Sequence, residues 1–69
     1  MLILGERLKS LRTERNVSQK ALAQICGIGD RSIKYYEAGE RVPDARVIVK
    51  LCEYFDVSSD YLLGRSDSR

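Results

Sequence analysis

SQKALAQICGIGDRSIKYYEAG, residues 18–39, decides how this chain of 69 residues folds. Leu22, Ala23 and Cys26 recur at spacings of three and four, which places them on one helical face. Gly27 follows at once, where a helix end needs a residue that tolerates a left-handed backbone. The pattern then predicts a second helix over about residues 30–38, with Ile33 and Tyr36 facing inward and Gly39 as its stop. Two short helices therefore flank a tight glycine turn.

Working outward, the same rules predict three more helices. Leu4, Leu8 and Leu11 form a stripe over about residues 4–15, with Arg7, Lys9, Arg12 and Arg15 on the remaining faces. Asn16 ends that helix, and Ser18 is a natural cap for the next one. Pro43 closes a loop over residues 40–43 and biases Val42 away from helix. Asp44 then caps a helix reaching Phe55, with Ile48, Leu51, Cys52 and Phe55 at helical spacing. Ser58 caps a last short helix ending at Leu63, with Gly64 beyond it. No stretch reads as a strand, so the expected fold is all-α, a compact five-helix bundle in one domain over residues 1–69. Order is expected over about residues 4–64, with the closing RSDSR frayed. The expected core is Leu8, Leu11, Leu22, Ala23, Cys26, Ile28, Ile33, Tyr36, Ile48, Leu51, Cys52, Phe55, Val57 and Leu62.

Composition narrows the function classes. Charged residues make up 32% and hydrophobic residues 43%, as in ordinary globular chains. No apolar run approaches the roughly 20 residues of a membrane span. The opening MLIL is short and uncharged for a signal peptide, so the expected location is cytoplasmic. Cys26 and Cys52 lack CxxC spacing and the chain has no histidine. They read as buried, reduced thiols, although a disulfide or metal pair is possible on paper. No metal, cofactor or small-molecule ligand is expected. Without histidine, a nucleophile elbow or a phosphate-cradling glycine loop, the chain does not read as an enzyme. The net charge of +2 is unevenly placed: residues 1–34 carry seven basic against three acidic residues, and residues 35–69 five against seven. The basic half holds the glycine-turn motif, and phosphate attraction needs such a local positive field.

Two helices around a glycine turn have the layout of a DNA-reading helix-turn-helix. On the third helix, Asp30, Arg31, Lys34 and Tyr35 share the face opposite Ile33 and Tyr36. Arg31 suits a bidentate pair to guanine, the commonest specific major-groove contact. Lys34 reaches a base or a phosphate, and Tyr35 a thymine methyl or a phosphate. Asp30 accepts from cytosine or, in the first helical turn, stabilises the helix dipole; the second role is favoured. Ser32 bonds a phosphate or its own backbone.

At this point the chain resembles the Xre family, the lambdoid-phage repressor and Cro-like DNA-binding domains. The resemblance rests on SQxxLA, the turn glycine, SIxxYExG, the proline before the fourth helix and the ending VSxDYLLG, and it covers about residues 4–64. It implies five helices and a lambda-repressor-like fold. It further implies operator binding as a two-fold dimer and control of a promoter. At matching positions, Gln19 would contact phosphate or an outer base. Arg12 and Glu37 would form a partly buried salt bridge; two independent surface charges are the alternative. Ser18 and Gly29 join the expected phosphate contacts. Ala38 and Glu40 depart from the family pattern, which often has an amide or basic residue there. Arg41 and Arg46 would therefore supply the anchoring to phosphate.

For a partner subunit, Val47, Val49, Tyr54, Tyr61 and Leu63 cannot all face inward together with Ile48, Leu51 and Phe55. Their concentration near the last two helices favours a self-complementary dimer patch over scattered surface hydrophobes. The expected function is a sequence-specific regulator of double-stranded DNA, a repressor on a near-palindromic operator. The alternative is an antitoxin-like interaction module that kept the fold, favoured by the low net charge, Asp30 and Glu40.

Overall fold

Ser18, Asp44 and Ser58 each stand in extended backbone, and each side chain accepts a hydrogen bond from the amide three residues on. Those bonds satisfy donors that a helix start otherwise leaves unpaired. The computed structural model describes residues 2–69 and contains five helices. They are α1 (Leu2–Glu14), α2 (Gln19–Cys26), α3 (Ser32–Glu37), α4 (Ala45–Phe55) and α5 (Ser59–Leu62). Among the described residues there is no strand, so the protein is all-α as the patterning predicts. Left-handed backbone ends the helices where expected, at Asn16 after α1 and at Gly27 after α2, and also at Asp56 after α4.

One core joins all five helices. Leu4, Leu8 and Leu11 of α1 meet Leu22, Ala23 and Cys26 of α2, Ile33 and Tyr36 of α3, Leu51 and Phe55 of α4, and Leu62 of α5. Three expected core residues, Ile28, Ile48 and Cys52, are only half-buried, while Leu4 and Val47 are buried. The buried line on α4 is thus Val47, Leu51 and Phe55, rotated from the expected one. Val47, Ile48 and Val49 are consecutive and equally apolar, so periodicity alone leaves the phase open. Packing against α2 and α5 selects it.

Gly5 lets α1 lie directly on the C-terminal end of α3. A Cβ there would stand 2.5 Å from the Glu37 carbonyl oxygen and 2.7 Å from that of Tyr36. Both obstacles are backbone and cannot swing aside. A glycine inside a helix lowers stability by roughly 1 kcal/mol relative to alanine, and close approach is what this one provides. The position α3 takes is therefore set from beneath by α1.

The last residues, expected to fray, lie against α1 and α5. Arg7 donates to the Tyr61 carbonyl, to the Ser66 carbonyl at 2.6 Å and to Asp67 at 2.7 Å. Arg69 bonds Glu14 at 2.8 Å, and the Ser58 amide donates to the Arg69 carbonyl at 2.8 Å. The Arg69 bond holds the Glu14 carboxyl below its usual range.

Candidate nucleic-acid interface

α3 is two-sided. Ile33 and Tyr36 are buried, whereas Arg31 and Lys34 are exposed. Asp30 is exposed as well, but it is not in the helix. α3 starts at Ser32 with Arg31 as its N-cap residue, has no side-chain capping bond and has no acid in its first turn. The expectation that Asp30 caps the helix dipole is corrected on that ground. The turn from Gly27 through Arg31 uses up the residues that helical spacing had assigned to a first turn, and Ser32 donates its amide to the Gly29 carbonyl at 3.0 Å.

Tyr35 is half-buried, and the Arg41 guanidinium lies 4.6 Å from its ring centroid. The loop after α3 causes this: the amides of Glu40 and Arg41 both donate to the Tyr35 carbonyl, at 2.9 and 3.3 Å. Arg41 is thereby held over Tyr35, at the C-terminal side of α3. Arg46 stands at the start of α4, with its side chain 91% exposed and only a loose 4.0 Å approach to Asp44. Ser18, Gly29 and Glu40 are exposed, and Ser32 is half-buried. The Ser18 hydroxyl already caps α2, which leaves its own proton to donate.

Behind this face lies the least exposed polar group of the chain's ion pairs. Arg12 Nε bonds Glu37 Oε2 at 2.6 Å and Arg12 Nη2 bonds Oε1 at 3.1 Å, with side-chain exposures of 14% and 5%. Arg12 Nη1 reaches the Val17 carbonyl at 2.9 Å. The third partner is Gln19, whose Nε2 donates to Glu37 Oε1 at 3.0 Å. One arginine fork thus ties α1, α3 and the entry to α2, and no buried side-chain N or O among the described residues lacks a partner.

Of the expected dimer residues, Val47 is corrected: it is 7% exposed and belongs to the core. Tyr54, Tyr61 and Leu63 are half-buried, and arginines cover the two tyrosine rings, Arg15 at 5.2 Å from Tyr54 and Arg7 at 4.3 Å from Tyr61. Val49 stays exposed. Cys26 and Cys52 are free thiols whose pKa burial pushes up, so neither is poised as a nucleophile. Among the described residues no cluster of acidic or cysteine side chains suits a metal.

Two residues that hold the site in place were missed by sequence reasoning. Gly5 carried a usable signal, since a lone glycine inside a helical pattern marks close approach. Lys50, whose Nζ donates to the Cys26 carbonyl at 3.1 Å and pins the glycine turn to α4, carried none.

A helix-turn-helix with an outward basic face defines the class, and residues 5–68 match the family model for helix-turn-helix domains. The chain belongs to that family. It is 39% identical over 64 residues to the HTH-type transcriptional regulator ImmR of Bacillus subtilis, covering 93% of this chain and 50% of that protein. Against the cryptic phage CTXphi transcriptional repressor RstR of Vibrio cholerae it is 38% identical over 62 residues, covering 90% and 55%. Among solved structures, the P22 c2 repressor in complex with a synthetic operator superposes with a TM-score of 0.83 at 27% identity, covering 90% of this chain and 94% of that one. The chain spans about half the length of the curated relatives it matches.

Proposed function

We propose that this chain is a sequence-specific double-stranded DNA-binding transcriptional regulator, a cytoplasmic repressor that acts as a homodimer on a near-palindromic operator. The observation that carries this reading is the two-sidedness of α3: Ile33 and Tyr36 anchor it while Arg31 and Lys34 stand exposed opposite them. Such a helix fits the major groove, where Arg31 pairs with guanine and Lys34 takes a base or phosphate. Tyr35 and Asp30 complete the base-facing row. Ser18, Gly29, Ser32, Arg41 and Arg46 contact phosphates along its margins. Two subunits joined near α4 and α5, through Tyr54, Tyr61 and Leu63, would present their α3 helices about 34 Å apart. The relatives named as regulators and repressors, and the neighbour solved on an operator, support the assignment.

Titration with random duplex DNA at two salt concentrations tests it. Binding is expected at about 50 mM salt and should weaken at least about 10-fold by about 200 mM, through counterion release. A selection from a random duplex pool should then return a two-fold symmetric site. Exposed Asp30 and Glu40, beside the basic face, favour a second reading, an antitoxin-like interaction module. No binding at the lower salt would select that reading.

A further inference from the structure

Residues 64–69 form a strap that doubles back over α5. Gly64 turns the chain in left-handed backbone, at φ 84°, and the amides of Arg65 and Ser66 both donate to the Asp60 carbonyl, at 2.7 and 3.2 Å. The far end is fastened by the bond from the Ser58 amide to the Arg69 carbonyl and by the Arg69–Glu14 pair. Tyr61 lies beneath. Its ring is met by two guanidiniums, Arg7 at 4.3 Å and Arg69 at 5.5 Å from the centroid.

The two cations hold their places with unequal strength. Arg7 is 17% exposed and also bonds the Tyr61 carbonyl, so it stays with α5 whether or not the strap does. The strap's own side chains stand in water: Asp67 is 100% exposed, and Arg69 and Glu14 are 49% and 50% exposed. Ion pairs this wet contribute little, because solvent and salt screen them. A weakly fastened segment therefore covers a ring assigned above to the subunit contact. A two-fold interface uses the same patch on both copies, so neither copy can keep Tyr61 covered in it.

We propose that residues 65–69 are an intrachain competitor of the second subunit. Closed, the strap lays Arg69 over Tyr61 and holds the chain as a monomer; open, it frees that ring for the partner copy. The inference rests on the dimer reading above. Apparent affinity scales with the fraction of chains competent to bind. Both copies must open, so that fraction enters the dimer constant twice, and a change of about 3-fold in opening becomes about 10-fold in dimerisation.

Sedimentation of the wild-type chain and of the double variant Asp67→Asn/Arg69→Gln across a dilution series tests this. The two changes remove one acid and one base, so net charge is the same, and both side chains are solvated, so Tm should be nearly unchanged. The variant should dimerise about 10-fold more tightly, and exchange of its Ser58 amide should quicken as the strap opens. Faster exchange with an unaltered dimer constant would overturn the inference and leave the dimer reading standing. Unaltered exchange would overturn it as well, because these contacts would then not be what closes the strap. A weaker dimer would mean that the strap bridges the subunits, which is the opposite of competition. Monomers throughout in both chains, even with duplex DNA present, would defeat the dimer reading itself and leave the strap nothing to compete with.

Discussion

α1 meets its neighbours in two different ways along its length. At the α3 side, Arg12 sits almost wholly out of water with every donor group directed at Glu37 or the Val17 carbonyl. Toward α5, Arg7 is nearly as dry, at 17% exposed, whereas toward α4 the exposed Arg15 lies over Tyr54 and Phe55 and bonds only the Tyr54 carbonyl, and the half-exposed Arg69 bonds Glu14. The same side chain is a fixed strut in one place and a wetted cover in the other. A buried ion pair is held to one geometry because losing a partner strands a charge. An exposed guanidinium over a ring keeps its water and gains only about 0.5–1 kcal/mol. The contrast locates rigidity at Arg12, where α3 is held, and softness at Arg15, over Tyr54 and Phe55.

Removing the Glu37 carboxylate should give the largest effect. Glu37→Ala leaves Arg12 buried and unpaired and is expected to lower stability by about 3–5 kcal/mol in chemical denaturation. A melting temperature within a degree or two of the parent would break the contrast. Gly5→Ala should come next. Its methyl meets two backbone carbonyls, and overpacking of this kind costs about 1–3 kcal/mol, partly offset by alanine's better helix propensity. Its folded fraction should also bind DNA more weakly, because α3 has been pushed outward.

On the proposed recognition face, Arg31→Ala is expected to cost about 1–3 kcal/mol of specific binding and to relax preference at one base pair, with Tm unchanged. A variant with the parent's full preference would remove Arg31 from the readers. At the soft edge, Arg15→Ala should change stability by only about 0.5–1 kcal/mol, measured in the same denaturant series. An effect matching that of Glu37→Ala would erase the distinction between the two sides of α1.

The smallest effect expected is a pH dependence of the tail. The Arg69 bond lowers the Glu14 pKa in the folded chain. A lowered carboxylate contributes stability that is present above the ordinary carboxylate range and is lost as pH falls through the folded value. Exchange of the Ser58 amide, which donates to the Arg69 carbonyl, should therefore quicken as Glu14 protonates. In Glu14→Gln the exchange rate should no longer respond to acid in that range.

Much of the architecture was legible in advance because its signals are local. Ser18, Asp44 and Ser58 start helices by bonding an amide three residues away, and Gly27 ends one through its own backbone freedom. The five helices and the inward pair Ile33 and Tyr36 follow from such short-range rules. The phase of α4 did not, since three adjacent branched residues satisfy two registers and only α2 and α5 discriminate between them. Val47 was lost to the core for that reason. The start of α3 was placed two residues early because the turn consumes Asp30 and Arg31 without changing the periodicity. The Arg12–Glu37 link spans 25 positions and came from resemblance, while Gln19 joining it depends on a geometry no spacing rule encodes.

Lys50 fastens the end of α2 to α4, and Gly27 turns the chain sharply there in left-handed backbone. The helix proposed to read DNA is thereby linked to α4 through α2. In the proposed dimer, the letters recognised and the gap separating the two half-words are set by different parts of the chain. Grafting Arg31 and Lys34 onto a relative should transplant the alphabet, and the recipient's own frame should still dictate the punctuation.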